Sequence, residues 1–221
     1  MKKQIILLAS LIISTFTFAQ TVPSFGIKAG ITSASIQGEA SDNLNNLLDY
    51  TKGGISTTSK MGVYAGAFTN IPLTDVFSLE PSLMYSQKGY QMKGELNLKG
   101  LEFLGANAKA NLTTHYLELP LLLKANLSGF QVFLGPEVAY LAKADLKTSA
   151  GVLGFNLFKK TMDATDQFNR WDAGVTGGVG YQFSNGFSIN AAYDHGLMRT
   201  DANQNLNAYN RTFKVGVGFN F

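Results

Sequence analysis

The residues that could do chemistry in this sequence are few and scattered. Asp194 and His195 are adjacent, an acid beside an imidazole, the pairing that a hydrolase or acyltransferase acting on lipid would use with a serine. No serine is placed near them by sequence, and the pair lies where a strand pattern gives way to a loop. His115 is the other histidine, and cysteine is absent, so transition-metal ligands at ordinary spacing are not available and disulfides are excluded. Gly174-Val175-Thr176-Gly177-Gly178 has the glycine density of a phosphate cradle, but such a cradle needs a turn into a helix. Here the glycines stand inside an alternating strand, where they read as space and curvature. The loop charges Lys143, Asp145, Lys159 and Lys160 read as solvated. No catalytic residue, cofactor site or metal site is therefore assigned.

What the charged residues do have is a pattern. Segments with apolar and polar residues in strict alternation recur along the chain, near the roughly 9–11 residues of a tilted membrane strand. They are Phe25–Ile36, Met61–Ile71, Val76–Lys88, Tyr116–Lys124, Phe130–Tyr140, Arg170–Phe183, Phe187–Asp194 and Arg211–Phe221. In Val76–Lys88, for example, Phe77, Leu79, Pro81, Leu83 and Tyr85 share one face. Met61–Ile71 is a strand by composition, with its apolar face unassigned. Across the set, the polar faces carry Lys28, Lys88, Lys124, Arg170 and Lys214 against Glu80, Glu118, Glu137, Asp172 and Asp194. Equal numbers of each sign suit a small, water-poor interior in which charges must be paired. Glycines on the same faces, among them Gly174, Gly178, Gly180, Gly216 and Gly218, would leave room for long Lys and Glu side chains.

Three short connections, Asn70–Asp75, Asn126–Gly129 and Ser184–Gly186, alternate with four long polar ones. The long ones are Gln37–Ser59, Gly89–Thr113, Leu141–Asn169 and His195–Ala208. This predicts an all-β fold: an eight-stranded antiparallel up-and-down transmembrane β-barrel with short periplasmic turns and long extracellular loops. Alternation at Glu95–Lys99 predicts that strands continue above the membrane, and Leu44, Leu47 and Leu48 have helical spacing.

Aromatic residues on the apolar face sort by height. Phe25, Phe77, Phe130, Tyr181, Phe183, Phe187, Phe219 and Phe221 fall at one end, and Tyr85, Tyr140, Trp171 and Tyr193 at the other. Ten strand steps from Phe130 to Tyr140 rise roughly 25 Å at a tilt near 40°, the height of a lipid-facing band. The composition agrees: 23 glycines, 16 phenylalanines and 9 tyrosines, with 15% charged residues. A soluble barrel with the faces exchanged, a lipocalin-like periplasmic carrier of a small apolar ligand, has the same alternation and strand count. A membrane enzyme acting on lipid or lipopolysaccharide is a third reading, resting on Asp194 and His195.

Lys2 and Lys3, the apolar run Ile5–Phe18 and Thr17-Phe18-Ala19 form an export signal, with cleavage expected before Gln20. This divides the chain into a signal peptide at 1–19 and a barrel domain at 20–221. Without residues 1–19 the 18 basic residues drop to 16, against 15 acidic ones, so the charge offers no basic surface for nucleic acid. The closing strand, Val215–Phe221, ends on an aromatic residue and reads as the mark by which barrel-assembly machinery selects its clients. Outer-membrane lipid and lipopolysaccharide are the other expected partners, the barrel is expected to be a monomer, and His115 is expected beside a membrane interface.

Five segments, LEPSLMYSQKG at Leu79–Gly89, HYLELPLLLK at His115–Lys124, FLGPEVAYL at Phe133–Leu141, WDAGVTGGVGYQF at Trp171–Phe183 and NAAYDHGL at Asn190–Leu197, resemble the PorT-like outer-membrane β-barrel proteins. That group is often called a porin family although its members lack a wide pore. The resemblance covers most of Leu79–Phe221 and is looser over Phe25–Ile71. It implies an outer-membrane barrel; some members assist a secretion system, and nothing here marks this chain as one of those.

Overall fold

A computed structural model describes residues 22–37, 55–96, 106–152, 155–200 and 208–221. The signal segment and the leucines at 44, 47 and 48 lie outside the described residues. Nine strands follow one another: β1 (Ser24–Gln37), β2 (Ile55–Pro72), β3 (Phe77–Leu96), β4 (Ala106–Leu127), β5 (Phe130–Val152), β6 (Phe155–Asp163), β7 (Trp171–Gln182), β8 (Phe187–Gly196) and β9 (Tyr209–Asn220). All pair antiparallel, in the order β4-β3-β2-β1-β9-β8-β7-β5-β6, and a further β4–β5 pairing closes eight of them into a ring. Among the described residues no helix is long and apolar enough to cross a membrane, and the crossing is made by strands.

The alternation sets the register, because one face of each strand must meet lipid and the other the interior. On β4, Leu117, Leu119, Leu121 and Leu123 point outward and are exposed, while Glu118, Leu122 and Lys124 point inward and are buried. On β2, Met61 and Val63 point outward, and Tyr64 and Phe68 point inward. That assigns the face the sequence left open. The carrier reading requires the opposite arrangement throughout, with the apolar face inside. The exposed Leu, Val, Ile and Phe band speaks against it, since so wide an apolar surface calls for a lipid covering.

The strands run much further than the alternating segments alone predicted. β3 reaches Leu96 and β4 begins at Ala106, so most of the predicted loop Gly89–Thr113 is strand. The predicted loop Leu141–Asn169 holds the upper half of β5 and all of β6. The lower part of β5, Phe130–Tyr140, pairs with β7, and its upper part, Asp145–Val152, pairs with β6. β2, β3, β4, β5 and β6 therefore continue beyond the ring as a sheet standing outside the membrane. These upper segments carry Lys, Thr and Asn on the outward face, so the lipid-facing pattern ends there, while Leu112, Leu141 and Ala144 keep the inward face apolar. The antiparallel ladder continues because it pairs backbone groups irrespective of side chain.

Two irregularities bend the wall where the ring ends. A register shift lies between Ser59 and Tyr64 opposite Gly89, whose φ of +145° suits glycine alone, and whose Cβ would meet the Leu112 carbonyl oxygen at 2.2 Å. A second shift at His115/Tyr116 changes which residues of β5 face inward, from Leu141 below to Ala144 above.

The lipid-facing assignment makes a graded prediction. Leu121→Arg, at mid-height on β4, lowers unfolding free energy by about 2–4 kcal/mol, whereas Leu127→Arg beside the periplasmic turn costs roughly 0–1 kcal/mol. Urea unfolding in lipid vesicles reads both, and equal effects at the two positions would contradict the placement.

Candidate functional site

The interior is stacked in layers, each assembled from strands distant in sequence. Toward the periplasmic end, Glu80 on β3 accepts hydrogen bonds from both Lys28 on β1 and Lys124 on β4. Lys28 lies 4.5 Å from the centre of the Phe68 ring, and Lys124 lies 5.7 Å from it. The ring face offers these ammonium groups electron density that the single carboxylate cannot supply. Below them Gln131 donates to Gln182 at 2.7 Å.

An uncharged layer follows. Leu122, Phe133 and Ala192 pack together, and Tyr64 donates to Asn190 at 2.9 Å. The predicted role of the glycines changes here. A Cβ on Gly216 would lie 2.3 Å from the Tyr64 hydroxyl oxygen, and one on Gly178 would lie 2.7 Å from the Phe133 ring. These two glycines make room for rings, not for lysines.

Above this layer Lys88 (β3) and Lys214 (β9) meet Glu118 (β4), Glu137 (β5) and Asp194 (β8). Glu118 is held on both sides, by Lys88 at 2.7 Å and Lys214 at 2.6 Å. Lys214 also lies 2.6 Å from Asp194, and Lys88 lies 3.5 Å from Glu137. The Thr176 hydroxyl sits between Glu137 (2.9 Å) and Asp194 (3.0 Å). The upper layer thus holds two ammonium groups and three carboxyls, the lower one two ammonium groups and one carboxyl. The two layers together balance. Three carboxylate oxygens of Glu118, Glu137 and Asp194 come within 4.8 Å of one another, the spacing a cation could bridge. The two lysines already stand in that cluster and supply its positive charge.

Higher still, Asp172 accepts a hydrogen bond from Asn210 at 2.7 Å. Leu112, Tyr116, Ala139, Leu141 and Ala144 then close the outer mouth, with Phe168 packed against them. Phe168 ends a single 3-10 turn, Thr165–Gln167, that is tied to β5 by Ala164 donating to the Ala144 carbonyl and Ala144 donating to the Thr165 hydroxyl. Among the described residues, small cavities are lined by Lys88, Glu137, Asp172 and Asn210, and by Lys28, Lys124, Gln131 and Asn220. Each has room for about one water molecule.

Nine of the ten charged residues singled out from sequence face this interior: Lys28, Glu80, Lys88, Glu118, Lys124, Glu137, Asp172, Asp194 and Lys214. Arg170 differs. It precedes β7 by one residue, stands at the rim with its side chain 40% exposed, and bonds Asp166 at 2.9 Å. The inward face of β7 starts only at Asp172, which is why the alternation placed Arg170 one step too far. Asp194 and His195 are neighbours on a strand and point to opposite sides of the wall: Asp194 is 4% exposed inside, and His195 is exposed outside near the Tyr193 ring. They form no catalytic pair. The inward rings Tyr64, Phe68 and Phe133 were missed from sequence. The signal for the first two was a Gly62-x-Tyr64-x-Gly66-x-Phe68 alternation, which is a polar face without polar residues.

Removing one partner from a buried pair strands the other. Glu118→Leu is expected to lower unfolding free energy in detergent by roughly 3–5 kcal/mol, because Lys88 and Lys214 both lose their shortest contact to a carboxylate or one of the shortest. An unchanged midpoint would show that Glu118 does not hold the layer together.

The model of the family described as outer membrane protein beta-barrel domain matches residues 18–202. Similar solved structures include neisserial surface protein A, 14% identical, with 91% of this chain and 100% of that one covered and a TM-score of 0.48. Ail, the attachment invasion locus protein of Yersinia pestis, in complex with the heparin analogue sucrose octasulfate, is 12% identical over 91% of this chain and 100% of that one, with a TM-score of 0.46. OprG from Pseudomonas aeruginosa is 14% identical over 90% and 96%, with a TM-score of 0.35. No curated protein matches. The chain belongs to the outer membrane β-barrel domain family, and it resides in the outer membrane.

Proposed function

We propose that this member of the outer membrane β-barrel domain family is a non-enzymatic, PorT-like envelope scaffold: a closed, monomeric barrel that anchors a binding sheet outside the cell. The observation that carries this reading is the filled lumen. Two ion-paired layers, the uncharged layer between them and the apolar closure at the outer mouth leave spaces of about one water each. Eight strands enclose an interior just wide enough for side chains, and here side chains occupy it. Work at such a barrel falls to what it presents, and β2–β6 continue as a sheet outside the membrane. The carboxyl and imidazole that a lipid-modifying enzyme would use, Asp194 and His195, stand on opposite sides of the wall, which supports a non-enzymatic role. Lipid and lipopolysaccharide contact along the apolar band, and the barrel-assembly machinery handles the chain during insertion.

The test is electrical. Purified protein in a planar bilayer is expected to give no steady conductance, with barrel integrity checked by the change in gel mobility on boiling. Sustained, concentration-dependent channel steps from heat-modifiable protein would overturn the closed-scaffold reading.

A further inference from the structure

The outward face of the wall changes chemistry abruptly at the upper aromatic ring level. On β4 one continuous face reads Leu123, Leu121, Leu119, Leu117, then His115, Thr113, Asn111 and Lys109. On β5 it reads Val132, Leu134, Pro136, Val138, Tyr140, then, past the register shift, Lys143, Asp145, Lys147 and Ser149. The pairing sets His115 beside Lys143, Thr113 beside Asp145, and Asn111 beside Lys147. From β2, Lys60 reaches across and donates to the Thr113 hydroxyl. Lys159 on β6 pairs with Ser149, extending the same face.

We infer that this face, built from Lys60, Lys143 and Lys147 with Lys109 and Lys159 above them, binds the phosphate groups of the outer leaflet's lipopolysaccharide. Three observations support it. The first is position. His115 is anchored to the last lipid-facing ring by a 2.7 Å hydrogen bond between its Nδ1 and the Tyr85 hydroxyl, so the cationic face begins where the hydrocarbon band stops. That is the level of the lipid headgroups.

The second is charge. Among the described side chains, five lysines share the face with two acids, Asp145 and Asp163, and Asp145 is already engaged by Lys143 at 2.8 Å. The third is crowding. Lys60 is half-buried, and burial, then the neighbouring Lys147, holds its ammonium below the ordinary lysine value. Two cations brought together by the fold, with one side open to the membrane surface, make a place where a dianionic phosphate relieves repulsion. Exposed lysines are often no more than a solvated face. Here they continue the lipid-facing stripe of β4 and β5 directly upward, at the level where lipid headgroups stand.

This deepens the scaffold reading by naming what the sheet touches, and it rests on outer-membrane placement rather than on a closed lumen. Conductance through the barrel would therefore leave it standing. The full chain is reconstituted in nanodiscs containing phosphatidylethanolamine with a small fraction of lipopolysaccharide, and retained lipopolysaccharide is measured after capture. The combined variant Lys60→Gln, Lys143→Gln, Lys147→Gln is expected to retain at least about tenfold less. Lys160→Gln, on the opposite face of β6, is expected to retain as much as the parent. Dephosphorylated lipopolysaccharide is expected to be retained poorly by the parent chain. Equal retention by parent and triple variant, or indifference to phosphate, overturns the inference. So does a variant that keeps lipopolysaccharide and loses only a soluble polyanion such as sucrose octasulfate, which would assign the face to a soluble ligand. If the triple variant loses its heat-modifiable mobility, Lys147→Gln alone, an exposed position, is read in its place.

Discussion

In hydrocarbon no water is present to satisfy a backbone amide or carbonyl, and the rest of this structure depends on that. A sheet can cross the membrane only if it has no edge, so β1 must find β9, and Gly26–Gln37 pairs with Tyr209–Asn220 along its length. Closure at eight strands then dictates the size of the interior. A wall one residue thick, apolar outside, necessarily turns every alternate side chain inward. Those side chains have to fill a narrow cylinder without leaving a charge alone.

The filling solves two problems at once. Lysines and carboxylates are long and flexible enough to reach the axis, but each costs several kcal/mol to desolvate unless it is paired. Pairing them across strands, Lys214 on β9 with Glu118 on β4 and Asp194 on β8, ties opposite walls of the ring together through its centre. Aromatic rings take the remaining volume, seated over glycines of nearby strands, as Tyr64 sits over Gly216 two strands away and Phe133 over Gly178 on the adjacent strand. Each layer carries an excess of one sign, and aromatic faces beside Lys28 and Lys124 offset part of the lower one. Selection on such an interior acts for neutrality and volume together, which explains why it holds amides and rings as well as ions.

Above the bilayer the constraint relaxes. Water can satisfy a backbone edge, so closure is no longer required, and the ring opens into a sheet that ends at β6. The two register shifts sit at this boundary, near Gly89 and His115, where the wall leaves its cylindrical path. The same boundary separates leucine from lysine on the outer face of β4. Geometry and chemistry change at one level because both answer to the edge of the hydrocarbon.

Much of this was legible in the order of residues, and the reason is that lipid imposes a local rule. Each strand must be apolar at every second position whatever its neighbours are, so strand count, the short turns, the ring levels and the inward set of charges could be read without knowing any partner. Where that rule lapses, the reading lapsed too. β2, with Gly62, Tyr64, Gly66 and Phe68 on one face and Met61, Val63, Ala65 and Ala67 on the other, had two faces of similar hydropathy, and packing of Tyr64 against Gly216 shows which went in. Upper β4 and β5 turn Asn111, Thr113, Lys143, Asp145 and Lys147 outward, so the lipid-facing stripe ends there because water and not lipid lies beside them, although Leu112, Leu141 and Ala144 keep the inward face apolar. Arg170 shares the parity of the inward Asp172 but stands before the start of β7, where alternation no longer fixes the direction of a side chain. Which lysine meets which carboxylate was set by the stagger of eight strands around a ring, a distance in space that no spacing along the chain encodes.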